Sequence, residues 1–128
     1  MKNFDAYQWS EKTILIVEDI DINNIFFEAA LRKTNAKLIY ANNGVEAVDI
    51  CKKNENIDVI LMDLQLPEMD GYEACRKIRK FRKELPIIAQ TAHLLLNAEQ
   101  NCYSAGCNDF LTKPIRLNSL LQSIGKFI

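Results

Sequence analysis

Residues 57–71 read IDVILMDLQLPEMDG, and this stretch decides the fold. Residues 59–62 form an unbroken apolar run, which is typical of a strand buried on both faces of a sheet. The run ends at a single carboxylate, Asp63. Because the ligands of an open parallel sheet bind at the carboxyl ends of its strands, this position favours a functional role for Asp63 over a loop cap. Pro67 and Gly71 then turn the chain into a helix.

Outside this stretch, short apolar runs alternate with amphipathic segments. Strands are predicted at 13–17, 37–41, 59–62, 86–91 and 108–112, and helices at about 22–34, 45–53, 72–81, 94–105 and 117–127. Such alternation predicts a three-layer, doubly wound α/β fold, in which helices cover both faces of a five-stranded parallel sheet. Gly106 is predicted to end the fourth helix.

Two helices carry more detailed predictions. Asp21 is a candidate cap of the first helix, and the inward face of that helix is predicted to comprise Ile22, Ile25, Phe26, Ala29 and Ala30. The third helix carries four basic residues, which are predicted to form a solvated face rather than a binding patch: Arg76, Lys77, Arg79 and Lys80.

Composition bounds the class of protein. The 128 residues fit one domain, and 16 Lys and Arg nearly balance 17 Asp and Glu, so charge gives no argument for nucleic acid or an anionic membrane as partner. Four cysteines without a C-x-x-C pair, and the single histidine His93, argue against a zinc site. Without a signal peptide or a long apolar run, we expect a cytoplasmic location and reduced, mostly buried thiols. Residues 1–12 are expected to be a lead-in or linker whose Trp9 packs on the domain edge.

Polar residues follow four of the predicted strands. Glu18 and Asp19 follow the first, Asp63 the third, Thr91 the fourth and Lys113 the fifth. In a parallel sheet these ends meet at one edge. Three crowded carboxylates require a divalent cation, and oxygen ligands without histidine or thiolate select Mg²⁺ or the similar Mn²⁺. A lysine and a hydroxyl group beside that ion suit phosphoryl oxygens, and no glycine-rich phosphate loop is present. The site therefore suits a carboxylate that accepts a phosphoryl group.

Five blocks of sequence carry a family resemblance: ILIVED (14–19), ANNGVEA (41–47), LMDLQLPEMDG (61–71), PIIAQTA (86–92) and AGCNDFLTKPI (105–115). In this order they resemble the receiver domain of two-component signalling, the phosphoacceptor domain of response regulators. The resemblance implies a flavodoxin-like (βα)5 fold with strand order 2-1-3-4-5, here over residues 13–128.

The resemblance also implies a role for each site residue. Asp63 would be the phosphoacceptor, Asp19 a direct metal ligand, Glu18 a second acid, the backbone carbonyl of Gln65 a further ligand, Thr91 the switching hydroxyl, Lys113 the phosphate-binding lysine and Phe110 the switch aromatic. Two positions depart from the common pattern: the acidic pair is Glu-Asp where many members have Asp-Asp, and Phe110 cannot donate a hydrogen bond. Because the loop must return Lys113 toward Asp63 directly before a helix, and the cis form of an X-Pro bond costs only about 0.5–1 kcal/mol, we also expect a cis Lys113–Pro114 peptide.

Within the family, the wording is closest to receivers of hybrid sensor histidine kinases; a stand-alone response regulator is the alternative. The implied partners are a histidine kinase or histidine phosphotransfer domain as donor, and an output domain on the face of the fourth helix, fifth strand and fifth helix, which begins at Leu94, Leu95 and Leu96. No direct nucleic acid or membrane contact is expected, and the isolated domain is not expected to be a separate enzyme. A magnesium-dependent aspartyl phosphatase or phosphotransferase commonly has a second acid where this chain has Gln65. A pseudo-receiver is disfavoured by the intact acids, Thr91 and Lys113.

Overall fold

A computed structural model describes residues 7–66, 68–92 and 98–128. In these ranges the strands are β1 (Thr13–Val17), β2 (Lys37–Ala41), β3 (Val59–Asp63), β4 (Ile87–Thr91) and β5 (Asp109–Thr112). The helices are α1 (Asp21–Leu31), α2 (Gly44–Lys53), α3 (Gly71–Phe81), α4 (Ala98–Ala105) and α5 (Leu117–Gly125), with a short 3-10 helix at Arg32–Thr34. The predicted alternation of strands and helices is confirmed.

The strands form one parallel sheet in the order β2-β1-β3-β4-β5. This confirms the doubly wound topology that the resemblance implied. Every residue of β1, β3 and β4 is buried, because these central strands have neighbours on both sides and helices on both faces. The register pairs Asp63 with Gln90 and Thr91 with Thr112, so the last residues of three strands lie along one edge of the sheet.

Alternate strand residues face two separate cores. On β3, Ile60 and Met62 pack with side chains of α2, α3 and α4, whereas Val59 and Leu61 pack with side chains of α1 and α5. Trp9 belongs to the second core and is 6% exposed, and its backbone N–H donates to the Thr34 carbonyl. The predicted packing of Trp9 on the domain is confirmed.

The predicted inward face of α1 is wrong. Phe27 and Leu31 are the buried residues of this helix and Ala30 is partly buried, whereas the remaining predicted residues are exposed: Ile22, Ile25, Phe26 and Ala29. The cap prediction is also wrong, because Ile20 occupies the N-cap position without a side-chain hydrogen bond and Asp21 is the first helical residue. Apolar residues occupy more than one side of α1, so periodicity alone did not determine which side meets the sheet.

The predicted solvated face of α3 is correct for Arg76, Lys77 and Lys80 but wrong for Arg79, which is partly buried. The Arg79 guanidinium donates to the Gly106 carbonyl (2.7 and 3.1 Å), to the Leu85 carbonyl (2.6 Å) and to Oδ1 of Asn108 (2.8 Å). Gly106 has a φ of 107°, a left-handed conformation that favours glycine, as predicted for the residue after α4. Arg79 therefore ties α3 to the loop between α4 and β5.

Some predictions fall outside the described residues. The expected start of α4, with His93 and the run Leu94, Leu95 and Leu96, lies in residues 93–97. The described part of α4 begins at Ala98, and α5 ends at Gly125 rather than at residue 127.

Candidate functional site

The carboxyl ends of β1, β3 and β5 bring the predicted acids and the predicted lysine together. Asp63 is the last residue of β3 and is 1% exposed. Glu18 and Asp19 directly follow β1, and Lys113 directly follows β5. Parallel strands end at the same edge of a sheet, so residues far apart in sequence converge at this point.

Three carboxylates form a cluster. Each of Glu18, Asp19 and Asp63 offers one oxygen atom, and these atoms all lie within 4.8 Å of one another. Glu18 and Asp63 are buried, whereas Asp19 is exposed. Burial, and then the charge of Asp63, raise the pKa of the Glu18 carboxyl group.

The Glu18 carboxylate is only partly satisfied. Its Oε2 accepts a hydrogen bond from the Ile20 N–H at 3.2 Å. Its buried Oε1 accepts no hydrogen bond from any residue that the structure describes, and Lys113 Nζ lies 3.7 Å away as an ion-pair contact. An orphaned carboxylate oxygen among clustered acids is the kind of hard ligand that Mg²⁺ takes. The residues present therefore fit a divalent cation.

Lys113 supplies the positive charge of the site. Its Nζ donates to Asp63 Oδ2 at 3.0 Å, and its side chain is 23% exposed. The predicted cis peptide between Lys113 and Pro114 is confirmed. The lysine thus lies against both buried acids while one side of it remains open to an incoming group.

The turn after β3 orients Asp63. The Asp63 Oδ1 atom accepts a hydrogen bond from the Gln65 N–H at 2.9 Å, and Gln65 itself is exposed. Gly71 opens α3 directly beneath this turn, and a Cβ atom there would lie 2.4 Å from the Asp63 carbonyl oxygen. Glycine is therefore required for the close approach of α3 to the end of β3.

The two predicted switch residues lie at different positions along their strands. Thr91 is buried at the end of β4, on the strand next to Asp63, so it lies at the edge that carries the acids. Phe110 pairs with Ala89 further back along β4 and β5. Its ring packs edge-on against Tyr103 of α4, with ring centroids 6.3 Å apart. Phe110 therefore connects β5 with α4.

Sequence reasoning missed a groove that adjoins Lys113. The groove has a volume of about 660 Å³ and is lined by Ile22, Asn23, Phe26, Phe27, Gln90, Lys113, Pro114 and Ile115. At its floor, the buried side-chain amide of Gln90 has no hydrogen-bond partner for either its oxygen or its nitrogen among the described residues. The available signal was the polar residue Gln90, which directly follows the apolar residues IIA within the strand sequence IIAQT.

Comparison with known families shows which domain family the chain belongs to. Residues 14–125, which include all the site residues named above, match the response regulator receiver domain family. The chain belongs to this family. This confirms the resemblance predicted from its five sequence blocks.

Curated relatives of this receiver domain include histidine kinases, one of them a hybrid kinase. The domain is 42% identical over 139 residues to hybrid signal transduction histidine kinase B of Dictyostelium discoideum, covering 96% of this chain and 7% of the relative. It is 34% identical over 114 residues to the sensor histidine kinase RcsC of Salmonella typhi, covering 89% of this chain and 12% of the relative. The chain thus spans about a tenth of the length of these relatives.

Solved receiver domains share the fold. The receiver domain of the sensor histidine kinase PA1611 of Pseudomonas aeruginosa, solved with magnesium coordinated in its active-site cleft, has a TM-score of 0.83 and 37% identity over 91% of this chain and 96% of that chain. The receiver domain of Ssk1 of Saccharomyces cerevisiae, solved with the histidine phosphotransfer protein Ypd1, has a TM-score of 0.85 and 36% identity over 91% of this chain and 88% of that chain. Within the described ranges, no helix is long and apolar enough to span a bilayer.

Proposed function

We propose that this receiver domain accepts a phosphoryl group from a phosphohistidine on Asp63, in the presence of Mg²⁺ or Mn²⁺, as one step of a phosphorelay. The observation that carries the proposal is the arrangement around Asp63. This buried carboxylate has Lys113 Nζ at 3.0 Å on one side and clusters with Glu18 and Asp19. Such a site combines a nucleophile with a fixed positive charge at the place where phosphoryl charge arrives.

Three residues of the chain have separate roles in the transfer. A carboxylate oxygen of Asp63 attacks phosphorus, the N–P bond to the donor histidine breaks, and the imidazole leaves. Lys113 exchanges part of its contact with Asp63 for the arriving phosphoryl oxygens. The Gln65 N–H holds the Asp63 carboxylate in a fixed orientation during the attack.

Glu18, Asp19, Asp63 and the backbone carbonyl of Gln65 would hold the cation. When bound, the ion would neutralise the charge on the phosphoryl oxygens. The orphaned Oε1 of Glu18 and the clustered acids support this assignment, as does the magnesium reported in the PA1611 receiver domain.

A protein donor is supported by the surface beside the site. Ile22 and Ile25 of α1 are 71% and 65% exposed, and Phe26 is also exposed. Ile22 and Phe26 line the groove that reaches Lys113. We assign this surface to a histidine phosphotransfer domain or a histidine kinase, and the Ssk1 complex with Ypd1 is a precedent for such a partner.

The hybrid kinase of Dictyostelium discoideum and the sensor histidine kinase RcsC support a place for this domain within a hybrid sensor histidine kinase, with a stand-alone regulator as the alternative. Four cysteines, Cys51, Cys75, Cys102 and Cys107, are buried as free thiols, which suits the reducing cytoplasm. The domain would therefore act in the cytoplasm.

The output of the domain would depend on Thr91 and Phe110. A phosphoryl oxygen on Asp63 offers the Thr91 hydroxyl a new acceptor, and inward movement of Thr91 would leave space for the Phe110 ring. The contact between Phe110 and Tyr103 would carry this change to the α4–β5–α5 face, where an output partner would bind.

Thr91→Ala should accept phosphate yet lose the phosphate-dependent shifts of the Phe110 and Tyr103 amide signals. Thr112→Ala, at the exposed register partner of Thr91, is the matched control and should keep them.

The transfer itself is tested with a phosphohistidine donor. A phosphotransfer domain labelled with radioactive phosphate is mixed with this domain in Mg²⁺ or in EDTA, and label transfer is followed. The wild type should be labelled in Mg²⁺ only, and Asp63→Asn should not be labelled. Asp70→Asn is the matched control, because Asp70 is an exposed cap of α3 whose side chain accepts from the Glu73 N–H and asparagine can replace it. Undiminished labelling of Asp63→Asn would refute the proposal.

A further inference from the structure

Two thiol groups lie in contact in the core away from the acid cluster. Cys75 of α3 and Cys107, in the loop between α4 and β5, have sulfur atoms 3.5 Å apart, within hydrogen-bonding distance. Both residues are buried, and both are free thiols. Phosphoryl transfer at Asp63 gives this pair no role.

The surrounding structure holds the two thiols together. Arg79, one turn after Cys75 on α3, donates to the Gly106 carbonyl and to Asn108 Oδ1, the residues on either side of Cys107. The backbone N–H groups of Cys107 and Asn108 donate to carbonyls of α4 and β4 at 3.0 and 2.7 Å. Because the loop is fixed on both sides of Cys107, bringing the sulfur atoms together requires little further ordering of the chain.

We propose that Cys75 and Cys107 form a reversible disulfide when they reduce hydrogen peroxide or another small peroxide. The pair is then a redox modification site that joins α3 to the segment leading into β5. The sulfur atoms would approach from 3.5 Å to the disulfide bond length of about 2.0 Å.

Cys107 is the attacking thiol and Cys75 the resolving thiol. Cys107 lies nearer the surface, with 6% exposure against 0% for Cys75. The hydrogen bond between the two thiols lowers the pKa of Cys107 against the effect of burial, and the Arg79 charge lowers it further, whereas the pKa of Cys75 is raised by that hydrogen bond and by burial. A stabilised thiolate beside a protonated thiol is the pairing that disulfide formation requires.

The chemistry proceeds in two steps. The Cys107 thiolate attacks one peroxide oxygen, the O–O bond breaks, and Cys107 becomes a sulfenic acid as hydroxide leaves. The Cys75 sulfur then attacks the sulfenic sulfur, the S–O bond breaks, and the departing hydroxide takes up the Cys75 proton as water. The hydroxide from the first step takes up the proton that the Cys107 thiol gave up on forming the thiolate. Overall, two thiols lose two electrons and two protons, and one hydrogen peroxide becomes two waters. A dithiol reductant reverses the modification.

The experiment maps the disulfide in the folded protein. The wild-type domain is treated with hydrogen peroxide under native conditions, free thiols are alkylated, and peptides are sequenced by mass spectrometry. Two of the four thiols should be lost, a peptide containing the Cys75–Cys107 bond should appear, and dithiothreitol should restore both thiols. Cys51→Ser, a change at a buried thiol of α2, is the control that should leave this bond unchanged.

Substitution separates the roles of the two thiols. Cys75→Ser should form no disulfide and should retain an oxidised Cys107 that a sulfenic acid reagent traps, whereas Cys107→Ser should remain reduced at Cys75. A native-state disulfide that includes Cys102 instead, or a Cys107 that stays reduced in the wild type, would overturn the proposal. The wild-type peptide map decides the matter even if a serine variant fails to fold. No phosphoryl transfer is involved, so the result does not depend on Asp63.

Discussion

Lys113 Nζ lies 3.0 Å from Asp63 Oδ2, and this contact joins the ends of β5 and β3 across β4. The same nitrogen lies 3.7 Å from Glu18 Oε1. One partly exposed cation therefore faces two buried carboxylates. This arrangement offsets the repulsion between the acids and keeps a positive charge at the place where a phosphoryl group would arrive.

Removing this cation should destabilise the fold. In EDTA at pH 7, Lys113→Ala should lower the free energy of unfolding by about 2–3 kcal/mol, because it leaves two buried carboxylates facing each other. Urea unfolding measures the change. Lys126→Ala is the matched control, since its ion pair with Asp109 has a similar distance of 3.1 Å but its side chain is 63% exposed, and its loss should cost at most about 1 kcal/mol. Equal costs for the two variants would contradict this view of the site.

Binding of Mg²⁺ should stabilise the folded domain. The expected gain is about 1.4 kcal/mol for each factor of ten by which free Mg²⁺ exceeds its Kd, and thermal unfolding with and without Mg²⁺ measures it. Asp19→Asn should reduce this gain, because it removes one acid of the cluster. Asp21→Asn, at an exposed acid two residues further on, should keep it. Full stabilisation of Asp19→Asn by Mg²⁺ would show that Asp19 is not a ligand.

The site was largely predictable from sequence because its acids lie at the ends of strands with a clear apolar signal, β1 and β3, and Lys113 follows the short strand DFLT in the same alternating pattern. Glu18, Asp19, Asp63 and Lys113 needed only a parallel sheet to be brought together. The inward face of α1 was not predictable in the same way, because apolar residues lie on several sides of that helix. Tertiary packing determines which of them are buried, and in the structure these are Phe27 and Leu31. The groove beside Lys113 was missed because residues of α1 line it, and the orientation of α1 was not predicted correctly.

Arg79 shows a second limit of sequence reasoning. In the run of basic residues on α3, its spacing does not distinguish it from its solvated neighbours. Its role depends on carbonyl groups of two loops, the one that follows α3 and the one that follows α4. Contacts of this kind can be identified only when the positions of the loops in the folded structure are known.

Loss of the Arg79 guanidinium should therefore be costly. Arg79→Ala should lower the free energy of unfolding by at least about 2 kcal/mol, because several carbonyl groups lose a charged donor. Arg76→Ala, at an exposed position on the same helix, should change it by less than about 0.5 kcal/mol. Chemical unfolding of both variants tests the difference, and similar stabilities would contradict the structural role of Arg79.

Asp109 should make stability depend on acid pH. Burial raises the pKa of this carboxyl group, but hydrogen bonds from Ser123 and Lys126 outweigh burial and hold the pKa below its usual value. A lowered folded-state pKa gives stability that is present above the unfolded value of about 3.9 and is lost as the pH falls through the folded value. Asp109→Asn should thus be less stable than wild type by about 1 kcal/mol at pH 7, and the difference should shrink below about pH 4.

Unfolding at several pH values measures this difference. Asp49→Asn, which disrupts an exposed pair with Lys53 on α2, should change stability by less than about 0.5 kcal/mol at pH 7. A constant difference between wild type and Asp109→Asn from pH 7 to pH 3 would show that the Asp109 charge has no such role.

The most direct test of the phosphoacceptor assignment is chemical mapping of the phosphorylated residue. The domain is phosphorylated in Mg²⁺ by a phosphohistidine donor and treated with borohydride, which reduces an aspartyl phosphate to homoserine, and its peptides are sequenced by mass spectrometry. Homoserine should appear at position 63, and it should be absent when the donor or Mg²⁺ is omitted. Homoserine at Asp19 or at Asp70, with Asp63 unchanged, would contradict the account.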